Sequence, residues 1–498
     1  MLKLAEIFTD HMVLCRDRET VIWGETDRTV YACLDGVQQG FACIGRFEIT
    51  LPPHAAGGPH TLELKTDGEC LTFKDVWFGE VWLAGGQSNM EYRLQADREF
   101  DLARQEADLP LVRQFEVPRA NYPEMREEHP GLYRKKPEWT VSTPESCGSF
   151  SAVAWWYARE YSLHFGIPVG IIYCNVGGSS AVAWLSRYTA YTNKTVREYV
   201  NDYNRSLEGK NLEDYKKLYR DYYAYDARWH ANAQHLIETE GLSEKEAYAD
   251  PRIGPCPEWP PPSGPWHFST FGNLYEAMLS TVTPYTLSEV IFYQGEEDVS
   301  HPERYLALLS AMISDWRHDF RDSSLHFSLV MIAPYSYNWD NPLEINAALV
   351  REAQLQAAEA LENVSVTVTT DCGERYDIHP VSKRIIGERL FSKARERAGE
   401  AVSAENPEPE EICIDGSLLR VTFSLPLREN SSVTGLQLKY GTGEWVSAEG
   451  SAEGNVLFCR GSEGEKATGI RYAFADYIES NLYGENGMPA VPFRRDSL

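Results

Sequence analysis

Four apolar runs, Ile171-Ile172-Tyr173-Cys174-Asn175-Val176, Val290-Ile291-Phe292-Tyr293, Phe327-Ser328-Leu329-Val330-Met331-Ile332 and Val364-Ser365-Val366-Thr367-Val368, alternate along this chain with helical periodicity in residues 153–165, 303–316, 345–361 and 381–397. Strands apolar on both faces have to be covered on both faces, so the alternation predicts an α/β unit with a parallel sheet between helices. Val81-Trp82-Leu83-Ala84 opens the series. Shorter segments of alternating polarity flank it, at 21–24, 47–51 and 61–65 on one side and at 418–423 and 436–440 on the other, and these predict antiparallel β structure. We therefore expect a β-rich region over 1–75, an α/β domain over 76–400 and, after the polar linker 405–409, a second β-rich region over 401–498. Within the central domain, Tyr215, Leu218, Tyr219 and Tyr222 recur at helical spacing, and the stretch 251–265 is Pro-rich. This predicts a helical insertion over about 188–265 ending in a rim loop. Trp259, Pro260, Pro261, Pro262 and Trp266 there offer flat faces of the kind that shape a sugar cleft.

With 498 residues and 43% hydrophobic content, the chain has ample material for a large core. Its net charge of -27 repels nucleic acid and anionic membrane surfaces, and no Lys/Arg cluster makes a local exception, so neither is expected as a partner. A single arginine can still serve an acidic sugar. The stretch Met1–Asp10 is too short and too interrupted by charge to be a signal-peptide core, and no 18-residue apolar run occurs. We expect a cytoplasmic protein. The ten cysteines contain no Cys-x-x-Cys pair, so neither a zinc ribbon nor a redox motif is signalled, and they read mostly as buried thiols.

Candidate chemistry lies just after strands, because a parallel α/β sheet binds its ligands beyond the strands' carboxyl ends. Val81-Trp82-Leu83-Ala84 runs into Gly85-Gly86-Gln87-Ser88-Asn89-Met90, which sets a hydroxyl on a sharp strand-to-helix turn. Met90 in place of a second glycine argues against the Gly-x-Ser-x-Gly elbow, and a plain turn with Ser88 as N-cap is the alternative. Gly177-Gly178-Ser179-Ser180, Gln294-Gly295-Glu296-Glu297-Asp298 and Asp377-Ile378-His379-Pro380 follow later strands. Ser88 needs a base, and among twelve histidines His379 is the one on a post-strand loop beside a carboxylate. The N–H of Ser88, an N–H of Gly177-Gly178 and the Gln294 amide are candidate donors to an oxyanion. The constellation is one for acyl transfer. Glu296, Glu297 and Asp298 are consecutive, a spacing that rarely aims three carboxylates at one metal.

Gly-Gln-Ser-Asn-Met after Val-Trp-Leu, Val-Gly-Gly-Ser before Ala183-Trp184, Tyr293-Gln294-Gly295-Glu296, and Asp-Ile-His-Pro with Lys383 together resemble the sialate O-acetylesterase family of SGNH-type hydrolases. Further landmarks at 10–14, 150–153, 351–354, 481–483 and 489–493 extend the likeness over nearly the whole chain. The resemblance implies a flavodoxin-like three-layer SGNH hydrolase domain, flanked by N- and C-terminal β-sandwich-like regions, that removes O-acetyl groups from sugars without a metal or other cofactor. It makes Ser88 the nucleophile and His379 the general base and acid, with Gly178 and Gln294 joining Ser88 in the oxyanion hole. Gln87, Asn89, Glu296 and Arg351 become candidate substrate contacts, with anchoring of its loop as the other role open to Glu296. Where the wider superfamily has an aspartate three residues before the histidine, this chain has Tyr376, so Asp377 is the expected partner of the imidazole, with Glu374, Asp371 or a backbone carbonyl as alternatives. The segment 267–275 lacks the arginine of an Arg-Pro-Gly-like run, which points to a different sugar. An acetylxylan or other oligosaccharide esterase, and a non-catalytic carbohydrate-binding protein, are the competing functions.

Overall fold

One strand, Glu69–Gly86 (β1), is 18 residues long and joins the two parts of an 11-stranded sheet. Its first part pairs antiparallel with Gly57–Thr66, and residues 77–79 run parallel to Val13–Cys15, within the N-terminal β region. Its second part is the centre of the parallel sheet. The boundary expected at 75–76 thus falls inside continuous strand, and both regions hang on one hydrogen-bond ladder. The computed structural model describes residues 1–497 apart from 259–260, 263, 416 and 462–465.

The sheet continues with Leu109–Glu116 (β2), Trp139–Ser142 (β3), Val169–Asn175 (β4), Glu289–Tyr293 (β5), His326–Val330 (β6) and Val364–Thr367 (β7), in the spatial order β3-β2-β4-β1-β5-β6-β7. Every neighbouring pair is parallel except the edge strand β3, antiparallel to β2. The apolar runs at 171–176, 290–293, 327–332 and 364–368 became β4 to β7. Strands β2 and β3 escaped the sequence reading because β2 buries Arg113 and Gln114 where an apolar run would advertise a strand. The Arg113 guanidinium donates to the carbonyls of His11, Asp75 and Pro110 and pairs with the Asp75 carboxylate at 3.1 Å, so this buried cation is held by the N-terminal region and by its own strand.

The helices that cover the sheet are Ala152–Phe165 (α2), Pro302–Asp319 (α4), Asn346–Ala360 (α5) and Arg384–Arg397 (α6); a single turn, Ser88–Glu91 (α1), follows β1, and Leu212–Glu240 (α3) belongs to the insertion. Alternation along β1 divides its side chains between two clusters. Trp82 and Ala84 join Trp155 and Tyr157 of α2 and Ile386 and Leu390 of α6, whereas Val81 and Leu83 join Leu308, Met312 and Trp316 of α4 and Val350 of α5. Trp82 stacks on Tyr157 with ring centroids 4.0 Å apart. Burying a large apolar side chain of this kind contributes about 2–3 kcal/mol.

Helices fill the expected insertion, and α3 is 29 residues long. Trp259 and Pro260 of the anticipated rim lie outside the described residues, while Trp266 packs beside Tyr219. In the C-terminal region a five-stranded and a four-stranded sheet contribute Val421 and Leu457, and Leu438 and Ile470, to one shared cluster. All ten cysteines are thiols, but Cys43, Cys70, Cys256 and Cys413 are exposed, so the expectation of burial holds for only part of the set. No described helix is long and apolar enough to cross a membrane.

The junction between β1 and α1 is set by Gly86, which has φ +129° and would place a Cβ 2.1 Å from the Tyr293 carbonyl oxygen. Only glycine fits both constraints. Gly86→Ala should therefore lower stability by about 2 kcal/mol or more in urea unfolding, and an unchanged midpoint would contradict this close approach.

Candidate functional site

Four loops gather at the carboxyl edge of the sheet. Ser88 opens α1 after β1, residues 177–180 follow β4, residues 294–298 follow β5, and the segment between β7 and α6 carries His379. Ser88 and His379 stand 291 positions apart in the chain and meet with Oγ and Nε2 at 2.7 Å. Both side chains are half-buried, so a ligand can reach them. Gln87, not Ser88, is the N-cap of the turn. Gly177 lies against Ser88, since a Cβ added there would fall 3.3 Å from the Ser88 Cβ. Among the described hydrogen bonds the backbone N–H groups of Ser88 and Gly178 have no acceptor, which leaves an open donor on each of the two loops that touch at Ser88 and Gly177.

Gln294 is different, and here the structure corrects the sequence reading. It is fully buried, its Nε2 donates to Asp298 Oδ2 at 2.6 Å, Ser179 O at 3.1 Å and Gln87 Oε1 at 3.2 Å, and its Oε1 accepts from Tyr305 Oη at 2.9 Å. An amide has two hydrogens, and these three acceptors use both. Gln294 holds the loops together instead of offering a free donor. Asp298 completes that clamp by accepting from Ser180 Oγ at 2.6 Å and from the Ala181 N–H at 2.9 Å, which fixes the loop that carries Gly178.

The four expected substrate contacts are also interior. Gln87 is 2% exposed, and its Oε1 accepts from Gln294 and from the N–H groups of Gly295 and Glu297. Asn89 is 1% exposed; its Nδ2 donates to Glu296 Oε1 at 2.6 Å and to the carbonyl of Ile378 at 3.0 Å, and its Oδ1 accepts from Lys383 Nζ at 2.6 Å. Glu296 Oε1 takes the Asn89 amide, while its buried Oε2 has no partner among the described residues. Arg351 is fully buried and donates to the Ala475 carbonyl of the C-terminal region. None presents a surface to solvent; Gln87, Asn89 and Glu296 brace the site loops from behind, whereas Arg351 bonds the C-terminal region and leaves Nε and Nη1 without partners among the described residues. Polar residues next to a nucleophile carry no sequence mark that separates a ligand contact from a buried brace.

Around His379 the carboxylates sort clearly. Asp371 pairs with Arg389 at 2.6 Å and accepts from Tyr483, and Glu374 faces Arg98 at 3.7 Å, so both alternatives are committed elsewhere. Asp377 accepts from the backbone N–H of His379 at 2.8 Å, while the ring's Nδ1 has no acceptor among the described residues. The orientation expected from a carboxylate on the ring is thus replaced by a carboxylate on the backbone. Burial, and next the Lys383 charge, hold the imidazole below its ordinary pKa of 6.5, with Asp377 opposing. Burial pulls Lys383 down to about 8 and pushes Glu296 up. Glu91, which the sequence reading did not single out, accepts from the Gly177 N–H and pairs with Arg119 at 3.1 Å. Glu296, Glu297 and Asp298 diverge to Asn89, to solvent and to the 180–181 turn. Among the described residues no group of His, Cys, Asp and Glu is arranged to hold a metal.

A neutral imidazole on a hydroxyl, with two open N–H donors at hand, is equipped to activate an oxygen nucleophile and stabilise an oxyanion. Comparison with known proteins agrees with that chemistry. The family model for carbohydrate esterases of the sialic acid-specific acetylesterase type matches residues 258–396. The sialate O-acetylesterase of Rattus norvegicus is 24% identical over 408 residues, covering 75% of this chain and 68% of its own. That of Pongo abelii is 23% identical over 493 residues, covering 89% and 81%. The crystal structure of a carbohydrate acetylesterase from Xanthomonas citri matches over 100% of both chains, with a TM-score of 0.77 at 25% identity. The resemblance to the sialate O-acetylesterase family that the motifs carry thus holds in sequence, and the fold is similar to that of a carbohydrate acetylesterase.

The electrostatics predict how His379 titrates. Followed by NMR, its ring should have a midpoint below 6.5; Asp377→Asn removes the opposing charge and should lower it further, and Lys383→Met should raise it. Shifts of the opposite sign would contradict the arrangement.

Proposed function

We propose that this protein is a serine-dependent carbohydrate O-acetylesterase, and the observation that carries the reading is the 2.7 Å contact between Ser88 Oγ and His379 Nε2 at the carboxyl edge of the sheet. The sequence relatives are sialate O-acetylesterases and the structural relative is a carbohydrate acetylesterase, which supports an acetylated sugar as substrate. We assign the central domain to the flavodoxin-like, three-layer SGNH type. Leaving aside the added strands β2 and β3, the order β4-β1-β5-β6-β7 is the doubly wound order 2-1-3-4-5. The flanking β regions are sandwich-like on the same reading.

In the mechanism, Ser88 Oγ attacks the acetyl carbonyl carbon while His379 Nε2 takes the hydroxyl proton. The carbonyl π pair moves to oxygen, and the oxyanion rests on the N–H groups of Ser88 and Gly178. Collapse of this intermediate breaks the bond to the sugar oxygen, which leaves with the proton held by His379. Water then attacks the acetyl-serine with the same imidazole as base, and acetate departs as Ser88 recovers its proton. Asp377 acts by its charge and by fixing the His379 backbone, a looser arrangement than a carboxylate bonded to Nδ1. Gln294 and Asp298 keep the Gly178 loop in place.

Acetate release from a panel of O-acetylated sugars tests the reading. Ser88→Ala and His379→Ala should each lower kcat about a thousandfold or more with unchanged far-UV circular dichroism. Asn89→Ala, which unties the two loops without touching substrate, should cost about tenfold to a hundredfold in kcat. Ordinary turnover by folded Ser88→Ala would end the proposal.

A further inference from the structure

Helix α3 of the insertion and the segment 119–132 enclose a cavity of about 710 Å³, within the roughly 300–1,000 Å³ range of small-molecule sites. Its wall is aromatic, with Tyr122, Tyr219, Tyr222, Tyr223, Trp229 and Phe268. Several of these rings are pinned through their polar ends: Tyr222 Oη donates to the Glu258 carbonyl at 2.8 Å, Trp229 Nε1 to the Gly254 carbonyl at 3.1 Å, and Tyr122 Oη to Glu128 at 2.9 Å. Fixed rings with satisfied hydroxyls present apolar faces at little entropic cost, and the C–H face of a pyranose packs on such a surface. Asn121 supplies a polar counterpart. Its Nδ2 donates to Tyr223 Oη at 2.8 Å, which fixes that ring, while its buried Oδ1 has no partner among the described residues.

Two of its wall segments are linked to the loops that carry the reacting groups. Arg119, on its wall, pairs with Glu91, which in turn binds the Gly177 N–H beside Ser88. Phe268, also on the wall, precedes Ser269, whose Oγ donates to the Gly178 carbonyl at 3.1 Å. These links place the cleft on the insertion side of the loops that hold Ser88 and Gly178. We propose that the insertion builds a binding cleft for further sugar units of the acetylated glycan, so that the enzyme acts on acetyl groups of oligosaccharides in preference to free monosaccharides. This rests on the esterase reading above and narrows it.

The test compares kcat/KM on matched pairs, O-acetylated xylose with O-acetylated xylotetraose and O-acetylated sialic acid with O-acetylated sialyllactose, with p-nitrophenyl acetate as a sugar-free reporter of the acyl chemistry. In whichever pair is hydrolysed, the longer member should be favoured by about tenfold or more, because remote contacts lower the barrier only when they are present. Tyr222→Ala, and Ala227→Trp at an exposed position on the cleft wall, should abolish that preference and leave p-nitrophenyl acetate turnover unchanged. Equal rates on both members of every hydrolysed pair, or a preference untouched by both variants, would overturn the cleft while the esterase stands. Failure of the wild-type protein to release acetate from every ester would overturn both.

Discussion

The site depends on one buried side chain, Asn89. Through a single amide it ties the serine turn to Glu296 on the loop after β5, to Ile378 beside the histidine, and to Lys383 at the start of α6. These partners are 207, 289 and 294 positions away in sequence, so the contacts close very long loops and only a folded sheet can bring them together. With the preceding residue Gln87 fastened to the 294–297 loop, the hydroxyl of Ser88 has little freedom to leave its position under His379.

Keeping a cation and carboxylates inside this edge is expensive. Isolating either ion costs several kcal/mol, and hydrogen bonds recover that cost only where the geometry is good. Lys383 meets the requirement with Asn89 and with the face of Tyr92, 4.7 Å from the ring centroid, and Asp298 does so with Ser180, Ala181 and Gln294. The arrangement has a functional consequence. A positive charge fixed near His379 favours the neutral imidazole, the form that can accept a proton from serine.

Much of this was legible in the chain. Continuous apolar runs announce β4 to β7 because a strand covered on both faces needs no alternation, and the glycines at the end of β1 and after β4 mark where backbone comes close. The meeting of Ser88 and His379 followed from placing both on post-strand loops. What stayed hidden were polar residues turned inward. Arg113 and Gln114 disguised β2, and Gln87, Asn89, Gln294, Glu296 and Arg351 looked like ligand contacts although each is buried. Residue type says that a polar atom needs a partner, and only the fold says whether that partner is protein or substrate. The run of β1 through two regions was likewise invisible, because its composition changes midway while its backbone does not.

The central claim is that Ser88 is the nucleophile and that backbone N–H groups, not the Gln294 amide, receive the oxyanion. A crystal structure of the protein after reaction with a small alkyl fluorophosphonate tests it most directly. The account predicts phosphorus bonded to Ser88 Oγ, His379 Nε2 within hydrogen-bond distance, and the phosphoryl oxygen on the N–H groups of Ser88 and Gly178, with Gln294 still donating to Asp298. An adduct on another residue, or a phosphoryl oxygen held by a Gln294 that has released Asp298, would contradict it.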